Sequence, residues 1–291
     1  MIFFNKYKFE KVKRDFDPPF LLNPAYQSHF NEFGYVIIKN IITEENINWA
    51  KDAFEMIKKK DGFLASEIFE STGNFKNKVL QQYIFKFIEA YMSANFSNLI
   101  NLNNCEIGRG GAFFIKPNTI KSKLEPHQDS PVIDERETYA MFAWIPLQDI
   151  NAQNGALYVL PKSHLWGNYY RSQHIPWALG NICNALWKYM IPLYINKGDV
   201  VLFDPSLIHA SEINESASHR IVVCGAILPK QHTKVEFKRA KNSIKKYLVD
   251  DDYWLDGGTE DRLTKYPHVT LTSNFPNQLN MKSLKALLKN N

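Results

Sequence analysis

A few residues in this chain have types and spacings that could do chemistry. His127 and Asp129 flank Gln128, and positions i and i+2 of a strand project from one face, so an imidazole and a carboxylate would point the same way. His209 follows the run Gly198-Asp199-Val200-Val201-Leu202-Phe203-Asp204-Pro205, with Ser211 two positions on and Arg220 eleven positions on. With Asn214-Glu215 at the tip of an antiparallel hairpin, residues whose numbers sum to 429 face each other, which sets His209 opposite Arg220, with Ser211 on the same face. Two imidazoles and one carboxylate are the facial ligand set of non-haem Fe(II) sites, leaving adjacent positions open for a bidentate co-substrate and for dioxygen. A planar guanidinium matches a distal carboxylate through two parallel hydrogen bonds, which lysine does less well. Each element alone is common; their order and spacing together are specific.

The surrounding elements must position these groups. Gly34–Lys39 reads as a short β-branched strand, and Thr43 with Glu44 and Glu45 reads as the capped start of a helix bearing Ile47, Ala50, Phe54 and Ile57 on one face. A second helix over 79–100 carries Leu80, Ile84, Phe87, Ile88 and Tyr91 on one stripe. From Gly110 short apolar runs alternate with turn signals: Ala112–Ile115, Tyr139–Ile145, Gly155–Leu160, Asp199–Phe203 and Arg220–Leu228. That density predicts a β sandwich or jelly roll with an N-terminal helical layer, one α+β unit. The segment 165–195 reads as a non-strand insertion rich in aromatics. After about 230 the signal fades, except for a closing helix with Met281, Leu284, Leu287 and Leu288 on one side.

Composition excludes several classes. With 45% hydrophobic and 22% charged residues, the chain of 291 residues can bury a sizeable core and is not disordered. It has no apolar run near the roughly 18 residues of a membrane span, and Met1–Lys8 carries no secretory signal, so a cytoplasmic location is expected. Cys105, Cys183 and Cys224 are scattered and odd in number, which argues against a disulfide framework and suits a reducing compartment. The net charge of +5 is diffuse. Its densest clusters, Lys58-Lys59-Lys60 and Lys238-Arg239 to Lys245-Lys246, read as solvated helix faces, and no nucleic-acid or membrane partner is expected. Oligomeric state is not readable.

The sequence resembles the phytanoyl-CoA dioxygenase family of Fe(II)/2-oxoglutarate oxygenases from about Phe30 to Pro229. The resemblance rests on Phe33-Gly34-Tyr35-Val36-Ile37-Ile38-Lys39, Phe114–Pro117 ahead of His127-Gln128-Asp129, Trp144–Asp149, Asn154–His164 and Gly198–Phe203. It implies a single domain over 1–291 built on a double-stranded β-helix (a cupin-like jelly roll), with 165–195 a lid candidate and 230–291 a C-terminal extension. It implies His127, Asp129 and His209 as iron ligands and Arg220 as the residue for the distal carboxylate of 2-oxoglutarate. Ser211, Trp144 and Lys116 join that co-substrate group. Lys162 departs from the family, which usually has glycine between the proline and serine of Pro161–Ser163. Asp129 argues against halogenation, because related halogenases replace this carboxylate with a small residue.

The activity implied is hydroxylation of an unactivated C–H of a small molecule, free or carrier- or CoA-linked, by O2, with 2-oxoglutarate converted to succinate and CO2. Trp166, Tyr170, Arg171, His174 and Trp177 of the insertion are expected to contact the substrate. His164 reads as structural, and His219, facing away from Arg220, as no ligand. A cupin using the same ligands without oxidation, and a non-catalytic sensor that binds 2-oxoglutarate or a metal, remain as alternatives at this point.

Overall fold

The computed structural model describes residues 11–61, 68–167, 169–241, 243–255, 258–271 and 279–289; the reading of Met1–Lys8 lies outside them. Helix α1 (Pro24–Phe33) starts where Asn23 accepts a hydrogen bond from Ala25 N with proline at the first turn, and stops at Gly34, whose φ of 82° suits glycine. A Cβ at Gly34 would also lie 2.5 Å from Nδ1 of His164, so the close approach excludes a side chain. Thr43 Oγ1 caps α2 (Glu44–Asp61) by accepting from Asn46 N at 3.2 Å, and Asn77 caps α3 (Lys78–Phe96). The apolar stripes expected on both helices are buried. No helix among the described residues is long and apolar enough to cross a membrane.

Two antiparallel sheets pack face to face, as the jelly-roll expectation requires. The major sheet runs β1 (Tyr35–Ile38), β9 (Val200–Phe203), β6 (Met141–Pro146), β11 (Arg220–Pro229), β4 (Ala112–Lys116) and β2 (Glu70–Ser71), with β3 (Cys105–Ile107) pairing the far end of β11. The minor sheet runs β5 (Leu124–His127), β10 (His209–Ser211), β7 (Leu157–Val159) and β8 (Ile191–Leu193). Strand alternation sorts the cores. Val200 and Leu202 pack with Phe54, Ile88 and Phe113 between helices and sheet, while Val201 and Phe203 pack with Trp144, Leu157 and Val222 between the sheets. Because β9 is covered on both faces, it reads as a continuous apolar run. A third cluster behind the minor sheet joins Trp166, Ile208, Ala210 and Leu186, the last on the short helix α4 (Cys183–Leu186), to α6 (Met281–Leu288).

Three expectations are corrected. His209 and Arg220 are not partners in a hairpin: His209 pairs with His127 and Val159 in the minor sheet, and Arg220 pairs with Lys116 in the major sheet. The Glu212–His219 connection crosses between sheets instead, pinned by Asn214, whose Nδ2 donates to Lys116 O and Ser218 O and whose Oδ1 accepts from Ser216. The insertion is not free of strand, since it contributes β8. Beyond 230, β12 (Val235–Ala240), β13 (Ser243–Leu248) and β14 (His268–Leu271) form a three-stranded sheet, with α5 (Asp251–Leu255) between the last two. The basic cluster around Lys238 and Lys245 therefore lies on a β ladder, not a helix face. Its charged side chains mask the alternation of Val235 and Phe237, and acids answer some of them: Lys246 meets Asp134 at 2.8 Å and Glu137 at 2.9 Å. Lys162 takes φ 66°, which shows why glycine is usual there, and its ammonium reaches Glu32 at 3.1 Å.

Candidate metal centre

His127 ends β5 and His209 begins β10, and the two are opposite each other across that ladder with ring centroids 4.2 Å apart. Nδ1 of His127 contacts Glu125 O at 2.8 Å and Nδ1 of His209 contacts Leu207 O at 2.9 Å. A carbonyl accepts only, so both Nδ1 atoms carry the proton in the neutral rings and both Nε2 atoms present a lone pair. Asp129 lies just past the end of β5, its N–H donating to Pro205 O at 3.0 Å. Its carboxylate oxygens stand 3.7 Å from Nε2 of His127 and 3.6 Å from Nε2 of His209. The three donor atoms all lie within 4.8 Å of one another. Burial, and then the neighbouring His209, push His127 down to about 4, so it is neutral at neutral pH as metal ligation requires. Two imidazoles and one carboxylate fit a divalent iron with open positions.

Across the gap, Arg220 is buried at the start of β11, with Nη1 donating to Gly155 O at 2.5 Å and its guanidinium 5.4 Å from the ring of Trp144 on β6. Its Nε and the Oγ of Ser211 are buried without a hydrogen-bond partner among the described residues. Burial pushes Arg220 down to about 10. A buried guanidinium with no carboxylate partner among the described residues, beside an unsatisfied hydroxyl, fits an anionic ligand bearing two acceptor oxygens. Lys116 is brought close but not into the cavity. Its Nζ donates to Ser122 O at 2.5 Å and Glu212 O at 2.7 Å, and burial, then Arg220, push it down to about 6. Its stem fills the space under Gly155, where a Cβ would lie 2.5 Å from Lys116 Cδ.

His127, Asp129, His209, Ser211, Trp144 and Arg220 form the floor of a cavity of about 540 Å³. Phe69, Phe85, Phe114 and Phe142 wall it, and Arg109, Lys234, Asp251 and Trp254 stand around its mouth. Asp251 pairs with Lys234 and lies 3.8 Å from Arg109. None of the five insertion residues expected at the substrate lines this cavity. Trp166 is buried in the cluster behind the minor sheet; Tyr170 stacks on Arg136; Arg171 pairs with Glu135; His174 Nε2 contacts Tyr253 OH at 3.0 Å; Trp177 Nε1 donates to Gln128 Oε1 at 2.9 Å. They cement the insertion to its neighbours, and among the described residues of 165–195 only Gln173 lines the cavity. His164 is buried with Nε2 3.1 Å from Asn31 O, and His219 is exposed. Sequence reading missed Arg109, Lys234, Asp251 and Trp254, which belong to no local pattern.

Among solved structures, the fold resembles the carbocyclase SnoK from nogalamycin biosynthesis (TM-score 0.52, 17% identity, 73% of this chain and 86% of that one). It also resembles HygX from Streptomyces hygroscopicus with nickel and 2-oxoglutarate bound (TM-score 0.52, 13% identity, 72% and 88%). In sequence, the chain is 24% identical over 235 residues to the peroxisomal phytanoyl-CoA dioxygenase of Mus musculus, covering 69% of this chain and 66% of the relative. It is 26% identical over 129 residues to phytanoyl-CoA dioxygenase domain-containing protein 1 of Danio rerio, 42% and 44% of the two chains. The chain thus spans just under two thirds of the length of the peroxisomal relatives. The family model for phytanoyl-CoA dioxygenase matches residues 30–222, a stretch that holds both histidines, the aspartate and the arginine of the cavity floor, and the chain belongs to the phytanoyl-CoA dioxygenase family.

Proposed function

We propose that this protein is an Fe(II)- and 2-oxoglutarate-dependent oxygenase that hydroxylates a C–H of a small molecule. The observation that carries the reading is the pair of facing sites on one cavity floor: converging Nε2, Nε2 and carboxylate donors on one sheet, and on the other a buried guanidinium whose Nε has no hydrogen-bond partner among the described residues. His127, Asp129 and His209 would hold the iron. Arg220, with Ser211 and beside Trp144, would receive the distal carboxylate of 2-oxoglutarate. When bound, iron supplies the dioxygen activation that couples decarboxylation of 2-oxoglutarate to succinate with oxidation of the substrate.

The chain's own part is orientation and shielding. The carbonyls of Glu125 and Leu207 fix both imidazole tautomers. The phenylalanine walls give the space above the floor an apolar lining. Asp129 occupies the position that a halogenase leaves small, which favours hydroxylation. The apolar wall and charged mouth suit a small substrate with an apolar body, and the three thiols, none in a disulfide, suit the cytoplasm.

Anaerobic titration of Fe(II)-loaded protein with 2-oxoglutarate tests the reading through the visible charge-transfer band. The band should form in wild type, vanish in His209→Ala and need more 2-oxoglutarate in Arg220→Ala. A folded, iron-loaded wild type without a band would replace the oxygenase by a cupin of non-oxidative chemistry.

A further inference from the structure

The loop from Asp204 to Ile208, which joins β9 to β10, turns three successive carbonyls toward the ligand stretch. Pro205 O accepts from Asp129 N at 3.0 Å, Ser206 O from Gln128 Nε2 at 2.5 Å, and Leu207 O meets His209 Nδ1 at 2.9 Å. The loop is itself held from behind. Asp204 Oδ1 accepts from Ser206 N at 2.8 Å and from Ser206 Oγ at 2.5 Å, and Asp204 N donates to Gly34 O at 2.8 Å. Arg14 completes this frame from the segment before α1: its Nη1 donates to Asp204 Oδ2 at 2.6 Å and to Ser206 Oγ at 2.8 Å. Asp204 is fully buried and the Arg14 side chain is only 10% exposed, so solvent screens the pair little. Arg14 also lies outside the residues 30–222 that match the family model.

We propose that Arg14 is a positioning residue for the metal ligands, holding the Asp204–Ile208 loop in the form whose carbonyls orient Asp129, Gln128 and His209. The proposal rests on the metal-site reading above. Groups that orient metal ligands from outside change metal affinity by roughly 10–100-fold when removed. Arg14 acts one step further back, so the lower end of that range is expected.

The test is titration of the whole protein with Co(II), followed by its visible d–d bands, with melting temperature measured in parallel. Arg14→Met should weaken Co(II) binding about 10-fold and shift the bands, and Arg14→Lys should recover part of both. Ile57→Ala, in the core between α2 and the major sheet, should lower the melting temperature and leave the Co(II) titration unchanged. Should Arg14→Met fail to fold because Asp204 is left buried and unpaired, the paired variant Arg14→Met with Asp204→Asn removes both charges and carries the same expectation. A folded variant that binds Co(II) with wild-type affinity and bands overturns the positioning role. A wild type that takes up no Co(II) overturns the metal-site reading and the proposal with it, and this is seen before any variant is made.

Discussion

The major sheet presents Arg220 and Trp144 from strands of ten and six residues, β11 and β6, backed by α2 and α3. The minor sheet presents His127 and His209 from strands of four and three residues, with a register shift between His209 and Ser211. Long ladders and a large core hold the first pair. Side-chain bonds to single carbonyls and the Asp204–Ile208 loop hold the second. Placement by core packing is robust but couples function to global stability, whereas placement by local bonds lets metal affinity change while the fold persists. The two sheets should therefore fail in different ways.

His209→Ala should bring 2-oxoglutarate-dependent succinate formation to background and leave urea unfolding almost unchanged; retained turnover would remove the minor sheet from the chemistry. Phe113→Ala, in the helix-backed core, should cost about 3–5 kcal/mol in urea unfolding, while metal titration of the folded fraction stays at the wild-type value. A matching loss of metal affinity would erase the contrast between the sheets.

His164 links the layers, because it packs against Gly34 and faces the loop that holds the ligands. Burial pushes it down to about 4, so the folded state disfavours the protonated ring. Its folded value lies below the unfolded 6.5, so the unfolded chain binds the extra proton. Its contribution is intact above pH 6.5 and is lost as pH falls toward 4, up to about 3 kcal/mol. His164→Gln should flatten that part of the stability–pH curve, and an unchanged curve would contradict the assignment. Arg220→Ala should raise the 2-oxoglutarate needed for half-saturation roughly 10–100-fold, the equivalent of about 1.5–3 kcal/mol for charge-assisted hydrogen bonds, with metal affinity retained.

The same contrast explains what could be read from the chain. Asp199–Phe203 and Arg220–Leu228 are legible as strands because both faces of their apolar stretches, Val200–Phe203 and Ile221–Leu228, pack against neighbours. His127 and Asp129 were visible as a pair because their geometry is local. The pairing of His209 with Arg220 misled because eleven residues suit a hairpin as well as a crossing between sheets, and only Asn214's bonds to Lys116 and Ser218 decide. The cavity mouth left no trace, since Arg109, Lys234, Asp251 and Trp254 meet only through the tertiary fold. The aromatics of 165–195 looked like a substrate wall because composition cannot tell a residue that lines a cavity from one that fills a seam.

That crossing makes the space between the sheets a ruler. Sheets pack about 10 Å apart, a spacing held by the core between them rather than by the ligands. On the proposed reading, a keto acid that would join a metal on one sheet to Arg220 on the other is therefore measured by its length. Oxaloacetate, one methylene shorter, and 2-oxoadipate, one methylene longer, should both support less turnover than 2-oxoglutarate. The ranking should survive Trp254→Ala at the mouth, because the gauge lies in the sandwich and not in the wall above it.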